Sequence, residues 1–227
     1  MKIKIFLKLI FIIFLFSQNA MSYQNRYVGS PSYWENLKQL QKDFYMKGAL
    51  DAWGYYIWNN APDETRDLFL SQYRFCIEKK SQDFQRNMFM LGWDDKDSAA
   101  SELYRWSFTS CNILAETDEY KNIVPEKNKP LENVNKKTWL ELSNTNKSTY
   151  VAGYIDGSLA IIGMILEDSQ TSNEMRDYYS ELSRDVYSCF EEKGLDKIVP
   201  FIIARELNDS YPVPWNVSMS FGAFCRN

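Results

Sequence analysis

The chain has 227 residues, a formal net charge of −4, 16% aromatic residues and no histidine. This length suits one good-sized domain or two small ones. The acidic balance, with no Lys/Arg stripe, argues against a nucleic-acid partner, and the missing histidine removes Ser-His and Cys-His dyads from consideration.

In chain order, "MKIKIFLKLIFIIFLFSQNAMS" carries Lys2, Lys4 and Lys8, an apolar run from Leu9 to Phe16 and a small-residue exit at Ala20-Met21-Ser22. This is the layout of a secretory signal peptide over residues 1–22. The run is about half of the roughly 20 apolar residues that a spanning helix needs. Cleavage leaves 227 − 22 = 205 residues and removes three lysines, moving the charge from −4 to −7. The remainder shows no second hydrophobic span, so no membrane association is expected after cleavage.

The first long helix is expected to start at the capping-box pattern Ser32-x-x-Glu35. Trp34, Leu37, Gln41, Tyr45, Gly48 and Ala52 then fall on one face at steps of three and four. Ala61-Pro62-Asp63 stops it. "DETRDLFLSQYRFCIEKK" has the next helical pattern, with Leu68, Tyr73 and Cys76 inward, followed by helices around "QDFQRNMFML" and "DSAASELYRWSFTSCNILA". The intervening "WDDKDS", Trp93 to Ser98, lacks the turn glycine and distal glutamate of a calcium loop and reads as a helix N-terminus satisfied by acidic side chains. The charged stretch Ala115 to Lys137, with two prolines and little apolar content, reads as a linker. Beyond it the plan recurs in "WLELSNTNKSTYVAGYIDGSLA", "NEMRDYYSELSRDVYSCFEEK", "LDKIVPFIIARELN" and a proline-broken tail, "YPVPWNVSMSFGAFC".

That recurrence is literal. Shifting the sequence by 139 − 34 = 105 positions matches Trp34 with Trp139, Leu37 with Leu142, Lys42 with Lys147, Tyr45 with Tyr150, Gly48 with Gly153, Asp51 with Asp156 and Ile57 with Ile162. Seven identities in 24 positions exceed the roughly one or two expected from average residue usage. The reading is an all-α chain of two tandem four-helix-type repeats, residues 23–115 and 138–227, joined by the linker 116–137. Four cysteines in an exported chain read as disulfides. Their spacings, 111 − 76 = 35 and 225 − 189 = 36, favour Cys76 with Cys111 and Cys189 with Cys225 among the three pairings. Without histidine or CxxC, structural zinc is not expected.

Gly48 and Gly153 interrupt helical faces at a cost of about 1 kcal/mol each relative to alanine, which points to close approach of another helix or ring. Asp51 and Asp156 lie on the same faces and require partners if buried. A catalytic carboxylate pair is the sharper reading, but duplication already accounts for there being two. Gly-x-Ser-x-Gly and glycine-rich phosphate loops are missing. Asn146, Asn208 and Asn216 begin three sequons, meaningful only for secretion through an endoplasmic reticulum. Tyr55, Tyr56, Trp58, Trp93 and Trp106 divide between core anchors and a protein interface.

Taken together, the copies resemble the Rap1a-like immunity proteins of bacterial type VI secretion systems. Trp34, Tyr45, Gly48, Asp51, Cys76 and Cys111 carry the resemblance in the first copy. Trp139, Tyr150, Gly153, Tyr154, Asp156, Cys189 and Cys225 carry it in the second. The resemblance implies a periplasmic, all-helical protein that binds a toxic effector protein and blocks it, without catalytic residues, metal or cofactor. It also implies a pseudo-dimer within one chain, with the tyrosine-glycine faces buried against each other. The competing expectation is an exported virulence or stress-type protein-binding module. An adjacent effector gene would favour immunity.

Overall fold

A computed structural model describes residues 31–88 and 98–226. The expected signal peptide and residues 93–97 of the acidic cluster, Trp93 included, lie outside them. Among the described residues the chain is all-α, with ten helices and no strand. They are α1 Pro31–Asn36, α2 Gln39–Asn60, α3 Asp63–Met88, α4 Ala99–Ala115, α5 Asp118–Lys121, α6 Lys136–Glu141, α7 Asn144–Glu167, α8 Asn173–Lys193, α9 Leu195–Ala204 and α10 Val213–Arg226.

The first long helix is two. It breaks at Leu37-Lys38, where Lys38 takes extended backbone angles and its N–H donates to Gln41 Oε1 at 2.8 Å. Ser32 therefore lies inside α1 rather than capping the long helix. Ser143 makes the matching break before α7 and accepts from the Asn146 N–H at 3.3 Å. Local side-chain competition for free helix-end donors decides both starts.

Helix α3 continues past Lys80 to Met88, so "QDFQRN" extends it rather than opening a new helix. Its buried leucine is Leu70, at 0% exposure, whereas Leu68 is half-buried; Tyr73 and Cys76 do face inward. Ser98 caps α4 by accepting from the Ser101 N–H at 3.1 Å. The cap at the end of the acidic cluster is thus a hydroxyl.

Helix α10 replaces the expected broken tail. Pro214 stands at its second position, where a missing N–H costs nothing. Asn216 holds the preceding loop: its Nδ2 donates to the carbonyls of Asn208, Tyr211 and Pro212, and its Oδ1 accepts from the Asn208 N–H at 2.8 Å. Asn216 is only 6% exposed, so its sequon is closed in the folded chain.

Cys76–Cys111 and Cys189–Cys225 are bonded, with Cα atoms 5.6 and 5.4 Å apart. They tie α3 to α4 and α8 to α10.

The stretch 116–137 packs more than its composition suggests. Asp67, Ser71 and Arg74, on one face of α3, bond the backbone of Asn128, Glu126 and the Lys129-Pro130 carbonyls, respectively. These side chains satisfy main-chain groups that irregular structure leaves open. Tyr120, Leu131 and Val134 are buried, and Glu132 Oε1 accepts from the Val213 N–H at the start of α10 at 3.0 Å.

One continuous core contains Trp34, Tyr45, Leu70 and Leu103 from the N-terminal half and Trp139, Tyr150, Ile198 and Val217 from the C-terminal half. Helix α7 is long and apolar enough to cross a membrane by length and composition, contrary to the expectation of no further span, but most of it is buried inside this core.

Candidate functional site

The residues singled out by the repeat converge where α2 crosses α7. A Cβ on Gly48 would lie 2.1 Å from the Tyr150 carbonyl oxygen, and one on Gly153 would lie 2.0 Å from that of Tyr45. Each glycine admits the other helix's backbone at the position of that helix's tyrosine. The tyrosines then reach past the glycines: Tyr45 donates to Asp156 Oδ2 and Tyr150 donates to Asp51 Oδ2, both at 2.7 Å. Trp34 meets Tyr45 edge-on at 5.6 Å and Trp139 meets Tyr150 at 5.7 Å. Lys42 and Lys147 place their ammonium groups 5.3 and 5.5 Å from the Trp34 and Trp139 rings, a cation-π arrangement.

Asp51 and Asp156 are both 0% exposed. Besides Tyr150, Asp51 accepts from the Asn133 N–H at 2.8 Å and from Asn133 Nδ2 at 2.7 Å. Burial raises its pKa to about 7 against the opposing pull of these donors. Burial, with the adjacent carboxylates, also pushes the Tyr45 and Tyr150 hydroxyls well above their ordinary range. They therefore act as donors.

Gly157 has its own role. It leaves room for the Tyr104 hydroxyl, which donates to the Ala49 carbonyl. No signal in the repeat could show this, because Tyr104 has no counterpart in the aligned segment.

The cluster therefore joins the halves from within. Trp34, Tyr45, Gly48, Asp51, Trp139, Tyr150, Gly153 and Asp156 are all buried. Among the described residues no three His, Cys, Asp or Glu side chains group as metal ligands.

Among the described residues, one accessible feature is a groove of about 350 Å³ between α2, α7, α8 and α10. Tyr55, Tyr56, Tyr154, Tyr178 and Tyr179 line it over a floor including Leu159, Ile162 and Phe221, with Asn59, Ser158 and Ser218 interspersed. Its lining includes no charged side chain. Tyr178 is 61% exposed and meets Tyr179 edge-on at 5.2 Å. The aromatic surface continues from Tyr55 to Trp215 at 6.0 Å and on to Tyr211 at 5.7 Å. Tyr55, Tyr56 and Trp58 thus belong to a half-buried surface layer. Sequence reasoning missed the groove because α8 and α10 supply the opposite wall. The residues are spread across four helices and share no motif.

No protein-family model, curated protein or solved structure matches the chain.

Proposed function

We propose that the chain is an exported immunity-type protein, of the kind the Rap1a-like resemblance implies, that neutralises a secreted toxic effector by direct binding and has no chemistry of its own. The observation carrying this reading is the uncharged tyrosine groove with its exposed rim at Tyr178. Tyrosine with serine and asparagine is the composition of protein-binding paratopes: large rigid contact area at low entropic cost, with adaptable polar groups between. Two disulfides support an oxidising compartment such as the bacterial periplasm. In this reading a duplicated unit forms the equivalent of a dimer within one chain. Its repeat residues build the inner contact, leaving the groove for the partner.

The test is protection of bacteria expressing candidate type VI effectors in the periplasm, combined with measured binding. Tyr178→Ala and Ser218→Arg should each lose protection and weaken effector binding by about 30-fold, a hot-spot loss of ~2 kcal/mol. Leu140→Ser, at a residue 65% exposed outside the groove, should retain both. Failure to bind or protect against any adjacent-gene effector contradicts the immunity reading. Undiminished binding by both groove variants contradicts the assigned surface.

A further inference from the structure

Behind Tyr56 lies a second, smaller cavity of about 140 Å³, between α2, α3, α4 and Tyr120. Its walls are aromatic. Trp53 stacks on Tyr56 with ring centroids 5.4 Å apart, and Phe108 meets Trp53 edge-on at 5.0 Å. Gln72 also lines it. Gln72 is only 9% exposed as a residue, and its amide atoms are not among the fully buried atoms that lack a partner, whereas the hydroxyl of Tyr73, on the same lining, is. A buried hydroxyl without a protein partner is costly and requires explanation. Asn60 and Asn112 bring two further amide residues to the same lining.

We infer that this cavity is a binding site for a small neutral planar molecule bearing a carboxamide-type edge. The size admits one six-membered ring, since a cavity of roughly 150 Å³ accepts benzene. The aromatic walls favour a flat body. Gln72 presents both a donor and an acceptor, so a carboxamide can pair with it reciprocally through two N–H···O bonds. The lining has no charged side chain, so an ionised ligand would lose hydration without a counter-charge.

The corresponding positions of the C-terminal half, offset by 113 or 114 residues (185 − 72 and 226 − 112), carry Asp185 for Gln72, Val186 for Tyr73, Gly222 for Phe108 and Arg226 for Asn112. They line a wider depression beside the second disulfide. Charge replaces the neutral amides there, and Phe221 is the one aromatic residue of that lining. The site belongs to the N-terminal half alone, and its assignment does not depend on the immunity proposal.

The test is an NMR titration of the oxidised chain with benzamide, benzoate and toluene. Benzamide should give saturable shifts at Trp53 and Phe108 with a sub-millimolar dissociation constant, while benzoate binds at least tenfold more weakly. Gln72→Leu should weaken benzamide tenfold or more without weakening toluene. Asn112→Leu, at a less buried position, should weaken benzamide in the same direction and serves if the Gln72 variant fails to fold. No saturable shift with about 10 mM benzamide, or equal binding of all three probes, would overturn the assignment.

Discussion

Gly48 and Gly153 set how closely the two halves approach, and neither tolerates a methyl group. Real Cβ contacts do not fall near 2.1 Å, and the obstructing atoms are backbone. Gly48→Ala and Gly153→Ala should therefore each cost about 3 kcal/mol in denaturant unfolding, at the upper end of ordinary overpacking. Gly163 is the control: a Cβ there meets nothing within 4 Å, so Gly163→Ala should stabilise by about 1 kcal/mol. Asp51 ties stability to pH. Its pKa rises from 3.8 in the reference state to about 7 when folded. Between these values the native chain holds a proton that the unfolded chain has released, so stability falls as pH rises through the window. Comparing unfolding free energies at about pH 4 and pH 7.5 should show Asp51→Asn losing much of the wild-type decline; an unchanged slope would contradict the assignment. The Tyr-x-x-Gly-x-x-Asp skeleton made these residues legible as a linked set. Its reciprocity was not legible, because only the crossing shows that each tyrosine serves the other half's aspartate.

At the scale of elements, periodicity identified the helical segments where apolar faces were long, as in α2 and α7, and failed where a local competitor acted. Lys38 and Ser143 break the long patterns through backbone and capping geometry, which face periodicity does not encode. Pro212 and Pro214 suggested a broken tail, yet Pro214 sits in the first turn of α10, the place where proline fits a helix. The linker's polar composition hid its packing, because its hydrogen bonds run through backbone groups to α3 and Asp51. Asn216→Ala should uncouple the 208–212 loop from α10 and lower stability by about 1–3 kcal/mol, since it strips several main-chain groups of their partner. Thermal unfolding of the variant measures this. Removing Cys189 and Cys225 together should lower stability by about 4 kcal/mol in the chain-entropy view of a loop this long. Removing Cys76 and Cys111 should cost nearly the same, because the separations are 35 and 36 residues.

At the scale of the whole molecule, two compositionally similar halves share one core, with the crossing of α2 and α7 at its centre. The repeated residues are buried in this internal contact, so under the proposed function the partner surface falls to positions where the halves differ. The tyrosine groove draws Tyr55 and Tyr56 from one half and Tyr154, Tyr178 and Tyr179 from the other; separating the halves would remove one of its walls. Under the proposed function, folding and partner binding therefore depend on the same junction. Calorimetric unfolding of the oxidised chain tests that junction most directly. One transition with equal calorimetric and van't Hoff enthalpies is predicted for a single cooperative unit, and Gly48→Ala should lower its midpoint as a whole. Two separable transitions, one per half, with Gly48→Ala shifting only the N-terminal one, would contradict it.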